Sequence, residues 1–118
     1  MTLIERIEAA SATDHAELDA IDLAIAEWCY TGGAPGLVNY DPEMWLIRNG
    51  GWASSTDAAV GLAERVFPGC RVMVERANDG TGWAMLESRT MSGKVMADAS
   101  TPALALLAAI LRAREGEG

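Results

Sequence analysis

One histidine, one phenylalanine and two cysteines in 118 residues leave this chain poorly supplied with reactive side chains. A nucleophile–base–acid triad needs its base placed beside a nucleophile. His15 instead lies on an acidic helical stretch with no nucleophile motif near it. It reads as a solvated helix-face histidine. Cys29 and Cys70 have neither zinc-site spacing nor the density of a disulfide framework, so they read as reduced structural thiols in a cytoplasmic protein. No apolar run approaches the roughly 20 residues of a membrane span. The opening Met1-Thr2-Leu3-Ile4-Glu5-Arg6 lacks the basic start and apolar core of a signal peptide. Thr31-Gly32-Gly33-Ala34-Pro35-Gly36 lacks the closing Gly-Lys-Ser/Thr of a phosphate loop and reads as a turn.

Bases are also scarce, nine against seventeen acids, for a net charge of −8. Their placement is uneven. Residues 1–43 hold nine acids and one base, so the whole net charge falls there, while residues 44–118 hold eight of each. Phosphate contacts need Lys and Arg, which argues against direct nucleic-acid binding through the first third. Asp14, Glu17, Asp19 and Asp22 offer oxygen ligands of the kind Ca²⁺ or Mg²⁺ prefers. A regular helix spreads them around its circumference, so no metal and no cofactor is expected.

The best-marked element is the last. Thr101 can cap a helix that starts at Pro102, and nine consecutive apolar residues, Ala103 to Leu111, follow. Arg112 and Arg114 suit the last turn, and Gly116 stands past the expected end. Nine apolar residues leave no wet face, which predicts a buried closing helix.

Earlier elements read in order. Thr2 with Glu5 predicts a capping box and a short helix to about Ala10. Ser11 or Thr13 would cap a second helix from about Asp14 to Trp28, with Leu18, Ile21, Ile25 and Trp28 as its apolar stripe. A loop to Gly51 carries Tyr40, Met44, Trp45 and Ile47. Ser54 or Ser55 caps a helix over 56–66, stopped by Phe67-Pro68-Gly69. Strands follow over 70–77, 83–89 and 94–98, joined by Asn78-Asp79-Gly80-Thr81-Gly82 and Met91-Ser92-Gly93.

This α-α-loop-α-β-β-β-α order predicts an α+β fold in one domain, 1–118, with an acidic helical part and loop (1–51) and an α-β-β-β-α core (52–114). One sheet face, with Val72, Val74, Ala84, Leu86, Val95 and Ala97, suits the helices at 56–66 and 101–114. The other carries Arg71, Met73, Glu75, Trp83, Met85, Glu87, Lys94, Met96 and Asp98. It is too apolar for a fully wet surface. Laying the N-terminal helices there gives a three-stranded antiparallel sheet with helices on both faces, an α/β/α sandwich. The other arrangement leaves the Met-rich face open for a partner or a second copy.

The run Trp52-Ala53-Ser54-Ser55-Thr56-Asp57-Ala58-Ala59, beside the closing Thr101-Pro102-Ala103-Leu104-Ala105-Leu106 and Leu111-Arg112-Ala113, resembles the phage α/β/α (ABA) sandwich domain group of small phage and prophage proteins. The resemblance covers about residues 52–114, with Leu18-Asp19 and Ile21 matching more loosely. It implies a fold and a phage setting. The matching residues are caps and core, so no site residues come with it, and the group is mostly of unassigned function.

The functional expectation is therefore a non-enzymatic, phage-encoded protein-binding module, in one form an inhibitor of a host defence complex of CRISPR type. Acidic helical surfaces can occupy a basic groove on a nucleic-acid-binding protein, with steering that weakens as salt rises. Glu17, Asp19, Asp22, Glu27, Asp41 and Glu43 would supply the acids, with Tyr40 and Trp45 as anchors. The alternative is a structural or virion-associated protein that forms a homodimer through its sheet face. A small hydrolase using scattered carboxylates has no motif to support it.

Overall fold

The closing helix organises everything around it. In the computed structural model, which describes residues 2–28, 51–88 and 93–117, this helix spans Pro102–Glu117. All nine residues from Ala103 to Leu111 are buried. Such a helix must find cover on every side. One side is a three-stranded antiparallel sheet of β1 (Arg71–Arg76), β2 (Gly82–Glu87) and β3 (Lys94–Ala99), ordered β1-β2-β3. The flanks are covered by α1 (Leu3–Ala9) and α3 (Thr56–Val66), which pack against the closing helix, α4. Between α1 and α3 comes α2 (His15–Trp28), whose Leu18, Ile21 and Ile25 join the same apolar core.

Among the described residues, four helices and three strands thus form one domain, in the expected element order and α+β class. Helices pack against the sheet, as that class implies. The N-terminal helices do not cover the Met-rich face. α1 packs beside α4 instead, and α2 packs against α1 while its Leu18, Ile21 and Ile25 join the core, because an apolar cylinder needs more cover than one sheet face supplies. Among the described residues no helix covers the opposite face, where Met73 and Met96 are 50% and 54% exposed. The open-face arrangement is the one the described residues adopt.

The helix starts are fixed by side chains that meet otherwise unbonded amides. Thr2 accepts from the Glu5 amide at 3.2 Å while the Glu5 carboxylate accepts from the Thr2 amide, completing the capping box. Ser55 accepts from Ala58 and Thr101 from Leu104, each at 3.2 Å. At α2 the cap is neither Ser11 nor Thr13. Asp14 accepts from the Glu17 amide at 3.2 Å, while Ser11 turns back on Thr13. An ionised Asp is the stronger acceptor at a helix N-terminus, where the dipole favours negative charge. At the other end of the chain, α4 continues to Glu117, past the stop expected at Gly116.

The β1–β2 connection is tied by its own side chains. Asp79 accepts from both the hydroxyl and the amide of Thr81, which hold its carboxyl below the usual carboxylate range. Gly80 follows at φ +91°, a left-handed conformation that glycine adopts without steric cost. The turn between β2 and β3 falls partly at 89–92, outside the described residues.

Three contacts tie α1 into the fold. The Ser100 hydroxyl donates to the Ala10 carbonyl at the β3–α4 junction. Arg112 of α4 donates to both oxygens of Glu8, at 2.8 and 2.7 Å, and Arg6 pairs with Glu17 of α2 at 2.9 Å. The pairs are partly exposed, so they orient helices more than they stabilise them.

The closest approach is between β2 and the start of α4. A Cβ on Gly82 would stand 2.1 Å from the Pro102 nitrogen and 2.2 Å from the Thr101 carbonyl carbon, both backbone atoms that cannot swing aside. Gly61, within α3, faces open space. Gly82→Ala should therefore lower stability by about 1–3 kcal/mol through overpacking. Gly61→Ala should raise it by about 0.5–1 kcal/mol through helix propensity. Urea midpoints followed by circular dichroism read both, and equal effects of the two changes would contradict this packing.

Candidate functional site

The acids expected on a partner-facing surface have different environments. Asp19 and Glu27 are exposed on α2 and form no ion pair among the described residues. Glu17 is half-buried and engaged by Arg6 through both Nε and Nη2, so much of its charge is answered within the chain. Tyr40, Asp41, Glu43 and Trp45 lie outside the described residues. Trp52, just after that loop, is buried in the core.

Asp22 corrects the expectation most clearly. Expected on the acidic exterior, it is buried, the only buried charged residue among those described. The helical stripe of Leu18, Ile21 and Ile25 turns its side of α2 inward. Its Oδ1 accepts the Ala53 amide at 2.8 Å, and the carboxylate lies so close to Gly51 that a Cβ there would stand 2.0 Å from Oδ2. It clasps the turn that leads into α3. Burial pushes the carboxyl above its ordinary value of 3.8, nearby Asp19 adds to this, and the Ala53 and Trp52 amides oppose it.

Among the described residues, the surface that no helix covers is the outer face of the sheet. Strand register arranges it in three rows. Arg71, Glu87 and Lys94 form one end, Met73, Met85 and Met96 the middle, and Glu75, Trp83 and Asp98 the other end. Met85, flanked on both sides, is only 9% exposed, while the outer methionines are about half exposed. Arg71 reaches Glu87 at 3.8 Å but is itself largely exposed. The face therefore has an apolar band between a cationic corner on each outer strand and an acidic corner on each outer strand. The sequence held the signal for this surface, a base, a methionine and an acid at alternate positions in both outer strands. Only the register shows that the two triplets align.

A hollow of about 150 Å³ beside Trp83, edged by Glu75, Arg76, Thr81 and Asp98, has room for a few waters. Small-molecule sites usually run from about 300 Å³ upward. No three metal-ligating side chains converge among the described residues. The Cys70 thiol, pushed up by burial and then by Glu64, donates to the Ala63 carbonyl at 3.7 Å. A protonated, hydrogen-bonded thiol is a poor nucleophile. No described helix is long and apolar enough to cross a membrane.

Asp22 makes stability depend on pH in a defined direction. Its folded carboxyl holds its proton to higher pH than the unfolded one. Its contribution is therefore complete below pH 3.8 and is lost as pH rises through the raised folded value. Asp22→Asn keeps an acceptor for the Ala53 amide and does not titrate. It should gain stability relative to the parent chain as pH rises from about 3 to about 7. Asp22→Ala, which leaves that amide unanswered, should cost about 1–3 kcal/mol. Urea midpoints across the range test this, and an Asn-minus-Asp difference that stays flat would contradict it.

Comparison with known proteins returned no matching family model, no similar curated sequence and no similar solved structure.

Proposed function

We propose that this chain is a non-enzymatic protein-binding domain whose contact surface is the open face of its sheet. One observation carries the reading: Met73 and Met96 stand about half exposed on either side of Met85, with Trp83 in the next row, on a domain whose other described apolar residues are mostly packed away. Contiguous apolar surface rimmed by charge is what protein contact sites present. Methionine adapts its shape to a partner, and tryptophan is a favoured anchor.

A second reading places the contact on the exterior of α2. Exposed Asp19 and Glu27 favour it, and the net charge of −8 would steer a basic partner. Joined to the phage resemblance, it gives an inhibitor of a host defence nucleoprotein complex. Affinity that drops with salt and with Asp19→Lys and Glu27→Lys would favour this second reading over the first.

A photo-crosslinking residue at position 96, in cells that make the protein natively, tests the leading reading. The same residue at position 64 on the exposed side of α3 is the control. Protein adducts from position 96 and not from 64 are the expected result. No adduct from 96, or equal adducts from both, would overturn it.

A further inference from the structure

Resting on the reading of the open sheet face as a contact surface, we infer that its occupant is a second copy of this chain. The two copies stack face to face about a two-fold axis along the methionine row. Charge placement selects this geometry. On β1 the order is Arg71, Met73, Glu75, and on β3 it is Lys94, Met96, Asp98, both strands running the same way. Rotation about the methionine row brings each row of one copy over its mirror position in the other. Arg71 then faces Glu75 of the second copy, Lys94 faces Asp98, and each methionine faces its own equivalent. All four charge contacts of the two outer strands are attractive.

The competing two-fold, along the strands, sets Arg71 against Lys94 and Glu75 against Asp98. Each of those contacts is repulsive. The face is thus self-complementary in one orientation and self-repelling in the other, as an isologous contact requires. Stacked sheets pack about 10 Å apart with strands near alignment, a spacing that interdigitated methionines fill.

The size of the face sets the strength. Three strands about 4.8 Å apart and six residues long, at about 3.3 Å per residue, present roughly 300 Å² in projection. That is well below the roughly 800 Å² per partner of a stable complex, so the pairing is weak and reversible.

Sedimentation velocity on the full chain, from about 5 µM to about 500 µM, suits so small an interface. A monomer–dimer equilibrium should appear and weaken as salt rises. Lys94→Glu and Asp98→Lys, both at exposed positions, should each weaken pairing about tenfold or more by turning attraction into repulsion. Mixing the two variants should restore pairing as a heterodimer, because Glu at 94 then faces Lys at 98 and Asp98 faces Lys94. The double variant should restore the homodimer. Thermal melts followed by circular dichroism confirm that each variant is folded. A monomer at every concentration, or a dimer indifferent to both reversals, would overturn the inference, as would failure of the mixture to pair. Adducts from position 96 to other proteins, alongside a chain that stays monomeric, would overturn self-pairing and leave the face as a contact surface.

Discussion

The structure depends on one constraint: α4 has no residue from Ala103 to Leu111 that tolerates water. A helix that apolar must be enclosed, and a three-stranded sheet encloses only one side of it. The remaining sides draw in α1 and α3, and with them the core residues of α2. The alanines set how tightly this can be done, because small side chains let neighbours approach. At Gly82 the approach is so close that even a methyl group has no room against the α4 backbone. Once the helices are committed to α4, none of those described covers the other side of the sheet.

That outcome explains which parts of the fold were legible in the sequence. Elements with local signals read correctly: the Thr2–Glu5 capping box, the Ser55 and Thr101 caps, and the Asp79-Gly80 turn. Their physics lies within a few residues. Which face each helix takes was not legible, because the alternating pattern of β1 to β3 shows two faces and cannot say which helices choose which. Competition among helices for one buried cylinder decided it, and that competition involves the whole chain.

The candidate site divides the same way. Asp22 looked like its neighbours in a list of acids, and only its place between Leu18, Ile21 and Ile25 marked it as inward-facing. Glu17 looked free until Arg6 came within 2.9 Å. Conversely, the methionines and the charged corners of the outer strands were visible as residues but not as a surface. Alternation puts a base, a methionine and an acid on one side of each outer strand. Antiparallel pairing through β2 then aligns the two sets into rows. The pattern gains meaning only in two dimensions.

The sheet turns Val72, Val74, Leu86 and Ala97 to the core and, among the described residues, leaves Met73 and Met96 with no helix over them. Methionine oxidation by dilute peroxide, read by mass spectrometry at protein concentrations low enough to keep copies apart, measures this directly. Met73 and Met96 should oxidise rapidly in the native chain, and Met85 between them slowly. Equal protection of all three, relieved only on unfolding, would mean that the face is covered within a single chain, contrary to this arrangement.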